Sequence, residues 1–289
     1  MSDDLTLTAK PQAAVGRSPR ASGRGGVPAL LILVALALGW EGVKALFGIS
    51  DQKLPHLLAI FSEFGTRTRG GAGPVLAVAM FENAVVTFGE ALFGFALGGL
   101  LGCTLAVVFA SSRLLERGLL PFVVGSQTVP ILAIAPMVVV ALGRIGAPDL
   151  LVKAVVAAYL TFFPVTIGML RGLRSVPPDA LALMRSYAAS GGQTFWKLRL
   201  PAALPYLFNA LKICSTLSMI GAVVAEFFGG TQNALGVYIK SQAGILRLRE
   251  AWSGILMACL LGIGFYLIIV ALERWLMPWH VSFRKDRAA

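Results

Sequence analysis

Residues 177–205 read PPDALALMRSYAASGGQTFWKLRLPAALP, a charged, amphipathic stretch held between two long apolar runs. The run before it is Leu150–Leu170 and the run after it Leu204–Phe228, each long enough to cross a hydrocarbon core of about 30 Å at about 1.5 Å per residue. A chain that leaves the bilayer for a stretch of this length, between two spans, offers a surface on which something docks. Reading outward, four further apolar runs of spanning length occur: Val27–Phe47, Asn83–Ala110, Leu119–Leu142 and Trp252–Trp275. The fold class predicted is therefore all-α, a polytopic membrane bundle of six transmembrane helices.

Composition supports this setting. Mean hydropathy is +0.78, and 57% of residues are hydrophobic while only 13% are charged, about half the charged share of soluble domains. The formal net charge of +11 does not signal nucleic acid, because the basic residues sit at the ends of apolar runs and not in one patch with exposed aromatics. Most Lys and Arg fall on the side of the N-terminus, the 177–205 loop and the C-terminus. The positive-inside bias thus places both termini and that loop in the cytoplasm.

One integral domain is expected over residues 27–280. Residues 1–26, rich in Ser, Gly, Pro and Arg, read as a disordered basic tail beside the anionic lipids of the inner leaflet, and 281–289 as a second basic tail. Glu41 and Lys44 lie in the outer half of the first span. Between the first and second spans, LPHLLAIFSEF is too short to cross and suits a surface helix. The connection GGTQNALGVYIKSQAGILRLREA is too polar to cross.

Within the spans, Gly94, Gly98 and Gly102 follow at four-residue spacing, a small-residue stripe that lets helix backbones touch in lipid. Pro121, Pro130 and Pro136 predict that the third span is kinked or locally unwound, its freed carbonyls satisfied by neighbours or along a water-lined path. Charges at this depth cost at least about 2.5 kcal/mol each on insertion scales. Glu90 in the second span and Lys212 and Glu226 in the fifth therefore stand, with Pro130 and Pro136, as candidate intramembrane polar or pathway positions. Glu226 reads equally as a carboxylate reaching the outer interface, and Lys212 as a side chain snorkelling to the inner one.

Nothing in the sequence assembles a catalytic site. His56 and His280 fall in different loops, and Cys103, Cys214 and Cys259 each lie in a separate apolar span, so neither a His-based metal or triad site nor a disulfide framework is indicated. No G-x-x-x-x-G-K-[ST] loop is present, so any ATP used must be bound by another polypeptide. No metal, cofactor or nucleic acid is expected on this chain.

The loop itself reads as two helices. Pro177-Pro178-Asp179 sets a helix start, and Ala180, Leu183, Met184 and Tyr187 recur on one face. Ser190-Gly191-Gly192 breaks that helix. A second short helix, Gln193 to Arg199, presents Phe195 and Trp196 beside Lys197 and Arg199, and Leu200-Pro201 ends it because a residue before proline is pushed out of the helical region. A knob with an apolar face and a cationic rim suits a groove in a partner.

From about residue 75 to 280 the sequence resembles the permease subunits of bacterial binding-protein-dependent ABC importers, in the branch serving nitrate, sulfonate, taurine, bicarbonate, thiamine-pyrimidine and riboflavin uptake. That family's cytoplasmic loop has the pattern E-A-A, three residues, G, nine residues, I-x-L-P, and its spacing is kept here. Ala182-Leu183-Met184 stand at E-A-A, Ala188 at the glycine, Leu198 at the isoleucine, and Leu200-Pro201 match. The flanking GLRSVPPD, QTFWKLRLPAALPYLFNALK and GAVVAEFFGG also resemble the branch. Alanine replaces both the acid and the glycine, which removes one ionic contact to a partner and shifts weight to Tyr187, Phe195 and Trp196.

The resemblance implies a type I importer permease of the bacterial cytoplasmic membrane, paired as a homodimer, with two cytoplasmic ATPase subunits and a periplasmic or lipid-anchored solute-binding protein. It also implies that Ala182, Arg185, Tyr187, Ala188, Ser190, Gly191, Phe195, Trp196, Lys197, Leu198, Arg199, Leu200 and Pro201 form an ATPase-coupling loop. The solute would be a sulfonate, nitrate or taurine, or a pyrimidine or flavin. A secondary transporter or channel working without an ATPase is the other reading of the same spans.

Overall fold

The computed structural model describes residues 26–68, 71–229 and 233–278. The two basic tails, up to residue 25 and from residue 281, and His280 lie outside the described residues. The chain divides into one unit up to Ile49 and a second from Ser50 onward.

The first unit holds α1 (Gly26–Leu46), 21 residues, in which Glu41 and Lys44 continue the helix beyond the apolar stretch. At about 1.5 Å per residue this helix matches the hydrocarbon thickness. Leu30, Leu31, Leu33, Leu36 and Leu38 are exposed, the character of a helix solvated by lipid.

In the second unit the helices are α2 (Leu57–Glu63), α3 (Leu76–Ser111), α4 (Arg113–Ser126), α5 (Ile131–Arg144), α6 (Asp149–Arg174), α7 (Pro178–Ser186), α8 (Gly191–Thr194), α9 (Leu200–Phe228), α10 (Leu235–Gly244) and α11 (Leu248–Leu276). A π-helical turn, Phe195–Arg199, joins α8 to α9. No strand occurs among the described residues. Among all the described residues four helices qualify as long and apolar enough to cross a membrane, against the six expected: α3, α6, the continuous Gly191–Phe228 helix and α11. A bent pair, α4 and α5, makes a fifth if it counts as one span.

Helix α6 sits between α3 and α9, and small residues explain why. A Cβ at Gly98 would fall 1.8 Å from Thr161 Oγ1 and 2.6 Å from the Ala158 carbonyl, and one at Gly102 would fall 2.5 Å from the Phe162 carbonyl. On the other side Gly172 meets Ala203, and Gly221 meets Ala157, at similarly short range. The expected glycine stripe is therefore the seam between α3 and α6, and a second seam, on α6 and α9, joins it. Backbone contact of this closeness is what drives helix association where lipid is as apolar as leucine.

Helix α11 closes the other face of α9. Phe265 packs edge-on between Phe88 and Phe95, with ring centroids 5.2 and 5.0 Å apart, among Ala91, Phe208, Met219, Ala222 and Ile269. The short α2 rests on α11 through Ile60, whose carbonyl accepts the Ser253 hydroxyl.

The third span differs from a continuous helix. Its prolines do more than kink it: α4 and α5 meet at 97°. Pro130, extended at φ −61° and ψ 124°, caps the start of α5, while Pro121 and Pro136 are accommodated inside helices. The broken end needs a partner for its carbonyls, and the Tyr159 hydroxyl of α6 donates to the Ser126 carbonyl.

Candidate functional site

The loop between α6 and α9 is built by a succession of local signals. Pro177 is extended and Pro178 takes the first helical position of α7, where a missing N–H costs nothing; Asp179 lies in the first turn. Ala180, Leu181 and Met184 turn inward, half-buried, whereas Ala182, Leu183, Arg185 and Tyr187 are exposed. This splits the single face expected from spacing: Ala180 and Met184 turn inward, Leu183 and Tyr187 outward.

The end of α7 is a Schellman motif. The Ala188 N–H donates to the Arg185 carbonyl at 2.9 Å and the Ala189 N–H to the Met184 carbonyl at 3.0 Å, with Ala188 at φ +52°. Ala188 thus occupies a left-handed position that favours glycine. The helix breaks here, at Tyr187–Ala189, and not at Ser190-Gly191-Gly192 as expected. Ser190 instead opens α8: its hydroxyl accepts from the Gln193 N–H while the Gln193 side chain accepts from the Ser190 N–H, a capping box. Gly191 and Gly192 belong to the first turn.

Neither does Leu200-Pro201 end the second helix. Leu200 is helical at φ −66° and ψ −48°, and its N–H donates to the Phe195 carbonyl, five residues back. The wider π turn makes room at the place where the Pro201 ring and its missing N–H would disrupt an α-helix. One continuous helix therefore carries the loop into the membrane.

That continuity sets which aromatic faces where. Phe195 packs on Ala106, Phe109, Met169, Leu173 and Ala203, while Trp196 is 68% exposed and Tyr187 75%. The two rings of Phe195 and Trp196 meet edge-on at 5.5 Å. Lys197 is exposed beside Trp196, and Leu198, Arg199, Leu200 and Pro201 are half-buried. The outward surface is thus Leu183, Tyr187 and Trp196 with a rim of Arg185 and Lys197; Phe195 anchors it from within.

At the opposite end the intramembrane charges form a second constellation. Lys153, completely buried on α6, donates to Glu90 Oε1 and Asp149 Oδ2, both at 2.7 Å. Glu226 is buried as well, and its Oε2 accepts the Gly236 N–H at the start of α10. The neighbouring Leu235 N–H donates to Thr87 Oγ1 at 3.0 Å. Carboxylate and hydroxyl together satisfy two of the orphan donors of that short helix and fasten it to α3 and α9. Lys212 is elsewhere: its Nζ lies 3.0 Å from Glu273 Oε2, an ion pair from α9 to α11. Pro130 caps α5 and Pro136 lies within it.

Sequence reading missed Lys153, Asp149 and Glu273. Asp149 and Lys153 carried a signal, since acid and base four apart share a helix face. Cys103, Cys214 and Cys259 are free thiols, and no group of three His, Cys, Asp or Glu side chains suited to a metal occurs among the described residues.

Comparison with known proteins follows the same lines. Residues 94–280 match the family described as the binding-protein-dependent transport system inner membrane component. The chain is 32% identical over 214 residues to a probable ABC transporter permease protein of Haemophilus influenzae, covering 74% of this chain and 82% of that one. It is 31% identical over 200 residues to the formylaminopyrimidine transport permease protein ThiX of Halalkalibacterium halodurans, covering 69% and 78%. It is also 28% identical over 257 residues to the riboflavin transport system permease protein RibX of Chloroflexus aurantiacus, covering 89% and 91%. A solved structure, described as an amino acid ABC transporter with histidines, shares the fold, with a TM-score of 0.55 at 16% identity over 68% of this chain and 94% of that one.

Proposed function

Because the chain belongs to the inner membrane components of binding-protein-dependent transport systems, we propose that it is the translocating subunit of an ATP-driven importer whose α7–α8 loop docks on a separate cytoplasmic ATPase. The chain is a multi-pass membrane permease with no catalytic role of its own. The observation that carries the docking role is the outward surface of Leu183, Tyr187 and Trp196. Apolar side chains left exposed on a loop so firmly capped at each turn suit a preformed groove in a partner.

In this reading both termini and the loop are cytoplasmic, and residues 27–280 form one permease domain with six spans, α1 first and the α4–α5 pair third. Two copies form one pathway, two ATPase subunits bind ATP and pull the paired loops together, and an external binding protein delivers the solute. The permease contributes a shift between inward-open and outward-open bundles, biased by contacts at the loop. The solute is a small nutrient, in the range from sulfonates, nitrate and taurine to pyrimidines and flavins. The pyrimidine and flavin end is favoured by the likeness to ThiX and RibX.

The test is reconstitution in liposomes with and without a co-purified P-loop ATPase. Solute uptake that requires the ATPase, ATP and the binding protein is expected. Uptake at full rate by this chain alone would overturn the proposal in favour of a secondary transporter or channel.

A further inference from the structure

We propose that a basic cleft at the loop end of the bundle binds the phosphate of an anionic phospholipid headgroup from the inner leaflet; the leaflet follows from the orientation proposed above. The cleft encloses about 650 Å³ between the end of α3 at Ser111, the start of α4, the end of α6 and the foot of α9. Arg113, Arg117, Arg174 and Arg199 line it together with a single carboxylate, Glu116.

That carboxylate is already engaged, by both terminal nitrogens of Arg174. Arg113, Arg117 and Arg199 form no ion pair among the described residues. Unpaired guanidinium groups drawn from α4 and the foot of α9 into one cleft repel one another unless an anion sits among them, and their planar forks match phosphate oxygens.

The choice of a lipid over a free anion comes from α4. At 100° per residue, Arg113, Glu116 and Arg117 share one face, and Leu115, Leu119 and Phe122 share the opposite one. Those three apolar side chains are exposed, Phe122 to 76%. As the first half of the third span in the proposed orientation, α4 starts at the inner headgroup level, where Arg113, Glu116 and Arg117 lie, and turns its exposed apolar side chains to hydrocarbon. Basic pockets between membrane helices on the cytoplasmic side bind lipid phosphates for this reason.

The experiment uses the full chain in nanodiscs of phosphatidylcholine with a minor share of phosphatidylglycerol, followed by native mass spectrometry of the lipid retained on release. Wild type should retain phosphatidylglycerol preferentially. Arg113→Gln and Arg117→Gln should each lower that preference about fivefold, the factor for about 1 kcal/mol per basic residue. Arg171→Gln, an exposed arginine at the same end of α6 but outside the cleft, should leave it unchanged, and excess inorganic phosphate should not displace the lipid.

Equal losses from Arg171→Gln and Arg113→Gln would reduce the effect to general surface attraction and overturn the site. Displacement by inorganic phosphate would overturn the lipid assignment. Should either cleft variant fail to fold, a photoactivatable phosphatidylglycerol on wild type decides the matter. Labelling confined to α4 and the ends of α3 and α6 is expected, and labelling spread along the spans overturns the proposal. None of these readouts depends on an ATPase, so failure here is distinguishable from failure of the importer reading.

Discussion

Lys153 of α6 places its ammonium 2.7 Å from the carboxylate of Glu90 on α3, with both side chains shut away from solvent. Burying such a pair costs much of what its attraction returns, but removing one partner leaves a buried charge uncompensated. Lys153→Met should therefore destabilise the protein by about 3–5 kcal/mol. The double variant Lys153→Met/Glu90→Gln should recover part of that loss. Thermal unfolding of the four members of the cycle in one detergent measures the coupling. A double variant as unstable as the sum of the singles would mean that the two residues act independently.

The glycine seam makes a second prediction with its own control. Gly98→Ala forces a methyl against Thr161 Oγ1 and the Ala158 carbonyl, so α3 and α6 must part; a loss of about 1–3 kcal/mol is expected from such overpacking. A Cβ at the adjacent Gly99 would meet nothing within 4 Å. Gly99→Ala should be neutral or slightly stabilising in the same unfolding assay, because helix interiors favour alanine.

A third prediction concerns the loop. Ala188 adopts φ +52°, and a left-handed conformation costs an L-residue about 1–2 kcal/mol that glycine escapes. Ala188→Gly should stabilise the end of α7 by roughly 1 kcal/mol, less the extra chain entropy glycine loses on folding. Slower amide hydrogen exchange at Ala189, whose N–H closes the Schellman motif, is the readout; faster exchange there would contradict it.

The same positions indicate what can be read without coordinates. Apolar run length located α3, α6, α9 and α11, because a bilayer imposes a minimum apolar length on every span. The stripe at Gly94, Gly98 and Gly102 named its own use. Pro130 marked the break but not its size, since a 97° turn depends on Tyr159 and other neighbours that receive the freed ends. Lys153 could not be assigned to Glu90 from the sequence, as the two are 63 residues apart and meet only through the packing of α3 on α6. Local pattern also failed at Leu200-Pro201, where a π turn replaces the helix end that proline ordinarily enforces.

Phe195 and Trp196 carry the sharpest functional prediction, because adjacent aromatics now have opposite duties. Phe195 is half-buried against the core beneath the loop, so Phe195→Asp removes that packing and sets a charge against apolar residues, and should lower the unfolding temperature along with ATPase association. Trp196 is mostly exposed; Trp196→Asp should leave the unfolding temperature within the narrow range of surface substitutions, about 0.5 kcal/mol either way, while abolishing pull-down of the ATPase. Tyr187→Asp should behave like Trp196→Asp. Measuring melting and pull-down on the same preparations separates loss of a docking surface from loss of the fold. Full ATPase association by a stable Trp196→Asp protein would remove the outward aromatic face from the interface, and with it the observation on which the docking role rests.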